Sequence, residues 1–246
     1  MLRVTLRFYE ELNDFLPRDR QKTAFERDLP ETTSVKDLIE GCKVPHPEVD
    51  LILANSNPVD FNYQVKNGDF ISVYPVFESM DISAETRLQE RPLRNPQFLC
   101  DVNLGKLARY LRMAGIDTAY RNDAKDPELI DEAVNNDRAL LTRDRRLLMH
   151  KKVTKGHFVR ATHAADQLDE VLQRFDLHRQ IKPFSRCVSC NGTLETVDKE
   201  SIRDQLEPLT ERHFHNFSRC RQCGRIYWAG SHRNRLHPKV EKLLQN

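Results

Sequence analysis

Two sets of residues in this 246-residue chain have the types and spacing to do chemistry. The first is a pair of cysteine turns, Cys187-Val188-Ser189-Cys190 and Cys220-Arg221-Gln222-Cys223, bracketing 29 residues. Two such turns place four thiolates tetrahedrally around Zn²⁺ at about 2.3 Å each, the pattern of a structural zinc ribbon. A disulfide framework fits less well. Met1-Leu2-Arg3-Val4-Thr5-Leu6 alternates like a strand and shows no signal peptide, which points to a reducing cytoplasm. A redox Cys-x-x-Cys needs one pair, not two. His213, His215 and His232 are spare ligands, and Cys42 and Cys100 stand alone.

The second set is acidic: Asp101, Asp126 and Asp144. Clustered carboxylates repel unless a cation sits among them, and hard oxygen ligands suit Mg²⁺ or Mn²⁺. Such ions activate water and stabilise a leaving oxygen in phosphodiester cleavage. The competing role for each is local, since an Asp after a strand is often a turn residue and Asp126 suits a helix cap. Asp123, Glu128 and Asp131 lie near and are also ligand candidates. Lys106, Arg109, Arg112, Arg143, Arg145 and Arg146 flank these acids. They suit substrate phosphates. On the structural alternative, Lys106, Arg109 and Arg112 are the solvated face of a helix.

These side chains need elements to hold them. Phe98-Leu99-Cys100 reads as a buried strand ending at Asp101, and Leu104, Leu107, Ala108, Leu111 and Ala114 recur at helical spacing before Gly115. Asp117-Thr118-Ala119-Tyr120 is a second strand. Asp126-Pro127 supplies a cap and a first-position proline for a helix through Leu129, Ile130, Ala133 and Val134. Ala139-Leu140-Leu141 and His157-Phe158-Val159 are further strands, and Leu168, Val171, Leu172 and Phe175 mark another helix. Apolar strands between amphipathic helices predict a parallel sheet, with ligands beyond the carboxyl ends of its strands.

The first 78 residues predict a smaller α+β unit. Its strands are Arg3–Phe8, Thr23–Leu29, Leu51–Ala54 and Phe70–Tyr74, with a helix over Val35–Glu40 capped by Thr33 or Ser34. Residues 79–96 are polar and hold two prolines, as a linker does. No stretch approaches the roughly 18–20 apolar residues of a membrane span. The net charge of +2 conceals an asymmetry: residues 1–90 carry 10 Lys/Arg against 17 Asp/Glu, and residues 91–246 carry 29 against 20. A basic region of that kind points to a polyanion, and the acidic module to a protein partner.

Leu6-Arg7-Phe8-Tyr9-Glu10-Glu11-Leu12, Ser34-Val35-Lys36-Asp37-Leu38-Ile39, Val59-Asp60-Phe61 and Asn67-Gly68-Asp69-Phe70-Ile71-Ser72-Val73-Tyr74-Pro75 resemble the sulfur-carrier branch of the ubiquitin-like β-grasp fold. The free C-terminal Gly-Gly of a sulfur carrier is missing, because the chain runs on through Pro75-Val76-Phe77-Glu78. The resemblance therefore implies a docking module.

Phe98–Asp101, Leu104–Thr118, Leu140–Leu147 and Cys220–His232 resemble the C-terminal RNase domain first named from the Mut-seven exonuclease, a PIN-like nuclease whose members often carry a ubiquitin-like domain ahead of it. That resemblance implies an α/β fold: a PIN-like parallel-sheet domain at 97–179, a zinc ribbon and basic tail at 180–246, and a β-grasp domain at 1–78. It implies a metal-dependent ribonuclease with Asp101, Asp126 and Asp144 holding Mg²⁺ or Mn²⁺. Tyr227, Trp228 and His232 beside basic side chains suit stacking on RNA bases, or packing of the ribbon itself. One departure stands out. Many PIN nucleases carry a further acid between the first and third, and Leu104–Met113 contains none. The alternative is thus an RNA-binding adaptor without catalysis.

Overall fold

The computed structural model describes residues 1–30, 32–75, 96–228 and 238–244. Strand β1 (Leu2–Phe8) alternates, so Val4, Leu6 and Phe8 face one side, where all three are buried. It pairs antiparallel with β2 (Phe25–Leu29). Helix α1 (Val35–Gly41) starts where Ser34 Oγ accepts the Asp37 amide, which settles the cap on Ser34 rather than Thr33. Its Val35, Leu38 and Ile39 join the core formed by that strand face. Strands β3 (Val49–Ala54), β4 (Asn57–Pro58) and β5 (Phe70–Pro75) complete a sheet of order β2-β1-β5-β3-β4, with β1 and β5 parallel. This is the ubiquitin-like β-grasp.

Strand β6 (Phe98–Cys100) is followed by α2 (Gly105–Met113) and β7 (Thr118–Tyr120), and β6 and β7 pair in parallel. Helix α3 (Asp126–Asn135) opens one residue ahead of expectation, with Lys125 at the cap and its amide donating to Glu128 Oε2 at 3.5 Å. Asp126 is thus the first helical residue and not the cap. Strand β8 (Ala139–Thr142), the short helix α4 (Arg145–Leu148) and β9 (Gly156–Phe158) follow, with β8 and β9 parallel. Helix α5 (Ala164–Arg174) buries Leu168, Val171 and Leu172. The C-terminal part holds β10 (Leu194–Val197), α6 (Pro208–His213), β11 (Phe217–Cys220), β12 (Ile226–Trp228) and α7 (Pro238–Leu243). Strands β10, β11 and β12 form an antiparallel sheet in that order.

Compactness groups the chain into two units: residues 1–95 with 125–158, and 96–124 with 159–246. The expected linker at 79–96 falls almost wholly outside the described residues. Within the first unit the β-grasp is joined to 125–158 by buried polar contacts. Glu48 and His157 are 0% and 2% exposed, with Glu48 Oε1 3.0 Å from His157 Nδ1. The Phe158 amide donates to the same Glu48 oxygen at 2.5 Å. His46 spans Glu40 Oε1 and the Val153 carbonyl, each at 2.7 Å. The Phe15 and Phe158 rings meet edge to face at 5.4 Å. Such contacts explain why the 125–158 segment clusters with the β-grasp.

Removing one partner of a buried hydrogen bond costs about 1–3 kcal/mol, because the group left behind stays desolvated and unpaired. Glu48→Leu is therefore expected to lower unfolding free energy by about that much, read by urea denaturation. A loss under about 1 kcal/mol would show that Glu48 does not hold the 125–158 segment.

Candidate metal centre and acidic strand ends

Within the second unit, the sulfurs of Cys187, Cys190, Cys220 and Cys223 all lie within 4.8 Å of one another. Cys187 Sγ is 3.7 Å from Cys223 Sγ, and Cys190 Sγ is 3.4 Å from Cys220 Sγ. A tetrahedron with metal–sulfur bonds of about 2.3 Å has edges of about 3.8 Å, whereas a disulfide is about 2.05 Å. All four cysteines are free thiols, and the donor set fits Zn²⁺. Among the described residues this quartet is the one group of three or more metal-capable side chains whose ligand atoms already lie this close, and Asp101, Asp126 and Asp144 are not drawn together in that way. His213 and His215 lie outside it, and His232 lies outside the described residues.

The surroundings favour the thiolate at Cys187 and oppose it at Cys190. Burial pushes the Cys187 thiol up. The Tyr227 hydroxyl at 2.9 Å and the amides of Cys190 and Ser189 outweigh that and bring it down to about 6. Burial pushes Cys190 up to about 12. Tyr227 is nearly buried, so the structure seats it in the metal centre. Trp228 pairs in register with Phe217, and its ring lies 6.3 Å from that of Phe214, so it packs the ribbon. Tyr227 is therefore not set out as an open stacking platform, whereas Trp228 is half-buried.

The same centre is bolted to the α2–β7 corner. Arg112 is 5% exposed. Its Nε donates to the Thr118 carbonyl at 2.8 Å, and Nη1 donates to the carbonyls of Val188 and Ser189 at 3.2 and 2.9 Å. The expected substrate contact from Arg112 gives way to this one, because the side chain is buried and its Nε and Nη1 both donate to backbone carbonyls. Burial lowers its pKa, opposed by Cys100, Cys187, Cys190 and Asp117, which favour the charged form. A guanidinium beside four thiolates and one Zn²⁺ offsets a net charge of about −2. Asn191 adds two bonds: Oδ1 accepts the Thr118 amide at 3.0 Å, and Nδ2 donates to Asp117 Oδ1 at 2.8 Å. Gly115 makes the approach possible. Its φ is +85°, and a Cβ there would lie 2.3 Å from the Lys182 carbonyl oxygen.

The aspartates sit as follows. Asp101 directly follows β6, is 4% exposed, and accepts the Asn103 amide through Oδ1 at 3.1 Å. Asp144 follows β8 after Arg143 and is exposed. Its Oδ1 caps α4 by accepting the amides of Arg146 at 2.7 Å and Leu147 at 3.4 Å. Asp126 is exposed at the start of α3. The local roles expected for such residues are thus real for Asp101 and Asp144. Lys106, Arg109, Arg143 and Arg146 are exposed. Arg145 is engaged: its Nη1 donates to the Phe15 carbonyl at 3.2 Å and its guanidinium lies 4.9 Å over the Phe15 ring.

A family model described as the Mut7-C RNAse domain matches residues 96–240. The chain belongs to the Mut7-C RNAse domain family. A second model, Mut7-C ubiquitin, matches residues 1–81 and coincides with the β-grasp. Two solved structures are similar to part of this Mut7-C chain. A putative molybdopterin converting factor subunit 1 from Pyrococcus furiosus is 22% identical, with a TM-score of 0.25, covering 30% of this chain and 98% of that one. SAMP1 from Haloferax volcanii is 12% identical, with a TM-score of 0.26, covering 32% and 99%. No curated protein matches the chain. The Mut7-C membership supports a nuclease-type function, and the quartet fits that domain's zinc ribbon. Among the described residues no helix is long and apolar enough to cross a membrane.

Arg112, Asn191 and Tyr227 are the parts of the metal centre that spacing did not reveal. Asn191 alone left a trace, following Cys190 in a turn where its φ is +70°. Elemental analysis of protein purified without chelator is expected to find one Zn per chain, lost in Cys187→Ser and Cys220→Ser. Tyr227→Phe removes the hydroxyl that orients Cys187 and is expected to weaken Zn²⁺ affinity about 10–100-fold in competition with a chromogenic chelator. Unchanged affinity would remove Tyr227 from the centre's chemistry.

Proposed function

We propose that this Mut7-C chain is a metal-dependent ribonuclease that hydrolyses RNA phosphodiester bonds, with Asp101, Asp126 and Asp144 holding Mg²⁺ or Mn²⁺. The observation that carries the reading is the Mut7-C RNAse match over 96–240, inside which Asp101 and Asp144 each come at the carboxyl end of a strand in a parallel pair. Ligand sites of parallel α/β sheets form at that edge. The donor set suits a hard cation: carboxylate oxygens, with the two bonds that Asp144 accepts from α4 both falling on Oδ1. When bound, the ion supplies Lewis-acid polarisation of phosphoryl oxygens and a more acidic water.

The chain's own residues do the rest. The α4 amides hold the Asp144 carboxylate in one orientation, and the Asn103 amide does the same for Asp101. Arg143 adjoins Asp144, and Lys106 and Arg109 lie on the exposed face of α2, so these three are assigned to substrate phosphates. The zinc ribbon has a structural role and brings basic surface to RNA, since residues 180–246 carry 12 Lys/Arg against 7 Asp/Glu. The acidic β-grasp serves as the module for a protein contact.

Purified chain incubated with labelled single-stranded RNA is expected to cleave it when Mn²⁺ is supplied and not when it is withheld. Asp101→Asn and Asp144→Asn are each expected to lower the rate at least 100-fold, with zinc content unchanged. Salt-sensitive RNA binding with no metal-dependent cleavage in the native chain would favour the adaptor reading, for which the acid-free stretch Leu104–Met113 speaks.

A further inference from the structure

Away from the metal centre, one concavity of the first unit gathers cations. A cavity of about 350 Å³ is lined by Arg20, Arg27, Lys43 and Arg145, with Phe15 and Phe25 in its wall. Its size falls in the range of small-ligand pockets, about 300–1,000 Å³. The charge here runs against that of its module: residues 1–90 hold 10 Lys/Arg to 17 Asp/Glu, yet they line this cavity with three cations and one carboxylate, Asp14, and Arg145 adds a fourth cation. Among the described residues, ion pairs of this unit join Arg3 to Asp28, Lys152 to Asp131 and Lys155 to Asp137. Like charges held together in a cleft raise the local potential and concentrate anions there.

Two of the guanidiniums also sit against aromatic rings. Arg20 lies 5.2 Å over the Phe25 ring, and Arg145 lies 4.9 Å over Phe15 and 5.4 Å over Phe158. A guanidinium restrained by a ring loses less freedom on binding, and its fork matches phosphate oxygens in two-point contact. Arg27 is tied through Nη1 to Cys42 Sγ at 3.5 Å. A guanidinium plane can itself stack an unpaired base.

We propose that this cavity is a binding site for a nucleoside phosphate, free or carried by a single RNA strand. For the RNA source the proposal deepens the ribonuclease reading, because Arg145 is the residue after Asp144. A strand seated here then places a phosphate beside the segment that carries a proposed catalytic acid. Binding itself requires neither cleavage nor the catalytic ion.

The test uses the full chain without added Mg²⁺ or Mn²⁺, so binding is read apart from cleavage. A 5′-phosphorylated oligouridylate labelled at its 3′ end is titrated by fluorescence anisotropy, and uridine monophosphate by calorimetry. The double variant Arg20→Gln/Arg27→Gln is expected to weaken oligonucleotide binding at least tenfold. Its salt slope should fall by about 1.4, two phosphate contacts at about 0.7 each. Lys66→Gln, exposed and outside the cavity, is expected to stay within twofold of the native chain. Parallel loss of mononucleotide binding assigns the site to free nucleotides as well. Loss for the oligonucleotide alone assigns it to a phosphate of the strand. Should the pair lower the thermal midpoint, Lys43→Gln carries the same comparison with an expected threefold loss. Native affinity for both ligands in folded variants overturns the proposal. An inert Asp101 and Asp144 would overturn only the catalytic reading.

Discussion

One buried guanidinium holds the second unit together. Arg112 takes the Thr118 carbonyl with one nitrogen and the Val188 and Ser189 carbonyls with another. It thereby joins the end of a helix, the edge of a strand and the first cysteine turn. A charge that deep is tolerable because its donors are used and thiolates and Asp117 surround it. The cysteine turn gains in return, since thiolates sit better against a fixed cation than against apolar side chains. Gly115 and Asn191 follow from the same contact. The chain must pass close enough for carbonyls to reach, which needs a residue without a Cβ at one point and a side-chain amide at another.

The first unit solves a similar problem with the opposite charge. Glu48 is a carboxylate without exposure, facing His157 and the Phe158 amide. His46 repeats the device one turn away, between Glu40 and Val153. Apolar packing alone would let the β-grasp slide over the 125–158 segment, since it has no direction. Buried polar pairs fix the register because every misplacement leaves a polar group unpaired. The Phe15–Phe158 contact and the Arg145 guanidinium above both rings extend that fixed surface toward the cationic cavity.

Much of this was legible along the chain. Alternation in Arg3–Phe8, the Ser34 cap three residues ahead of Asp37, and the apolar strands Phe98–Cys100 and Ala139–Leu141 all became elements where their patterns placed them. Period-two and period-3.6 patterns survive folding because they report which face is buried. The four cysteines were equally legible, since short covalent turns bring their own ligands together in pairs. What stayed hidden was the role of polar residues with several possible uses. Arg112 falls at a position that also suits an exposed helical face, and only its burial against Val188 and Ser189 removes it from the phosphate contacts. Arg145 likewise adjoins an acid in sequence, while its guanidinium meets Phe15, 130 residues away.

The amino-acid sequence by itself determined the elements, the β-grasp followed by an α/β RNase domain of the Mut7-C family, and the ligand set of the zinc ribbon. These rest on local periodicity, turn chemistry and close spacing, which are properties of neighbours along the chain. Tertiary structure alone decided which buried charges meet. It placed Tyr227 on Cys187, Arg112 under the cysteine turn, Glu48 against His157, and three cations of the acidic module together with Arg145 around one cavity. The physical reason is that an electrostatic contact depends on distance in space and on exclusion of water. Neither quantity is written in the order of the residues.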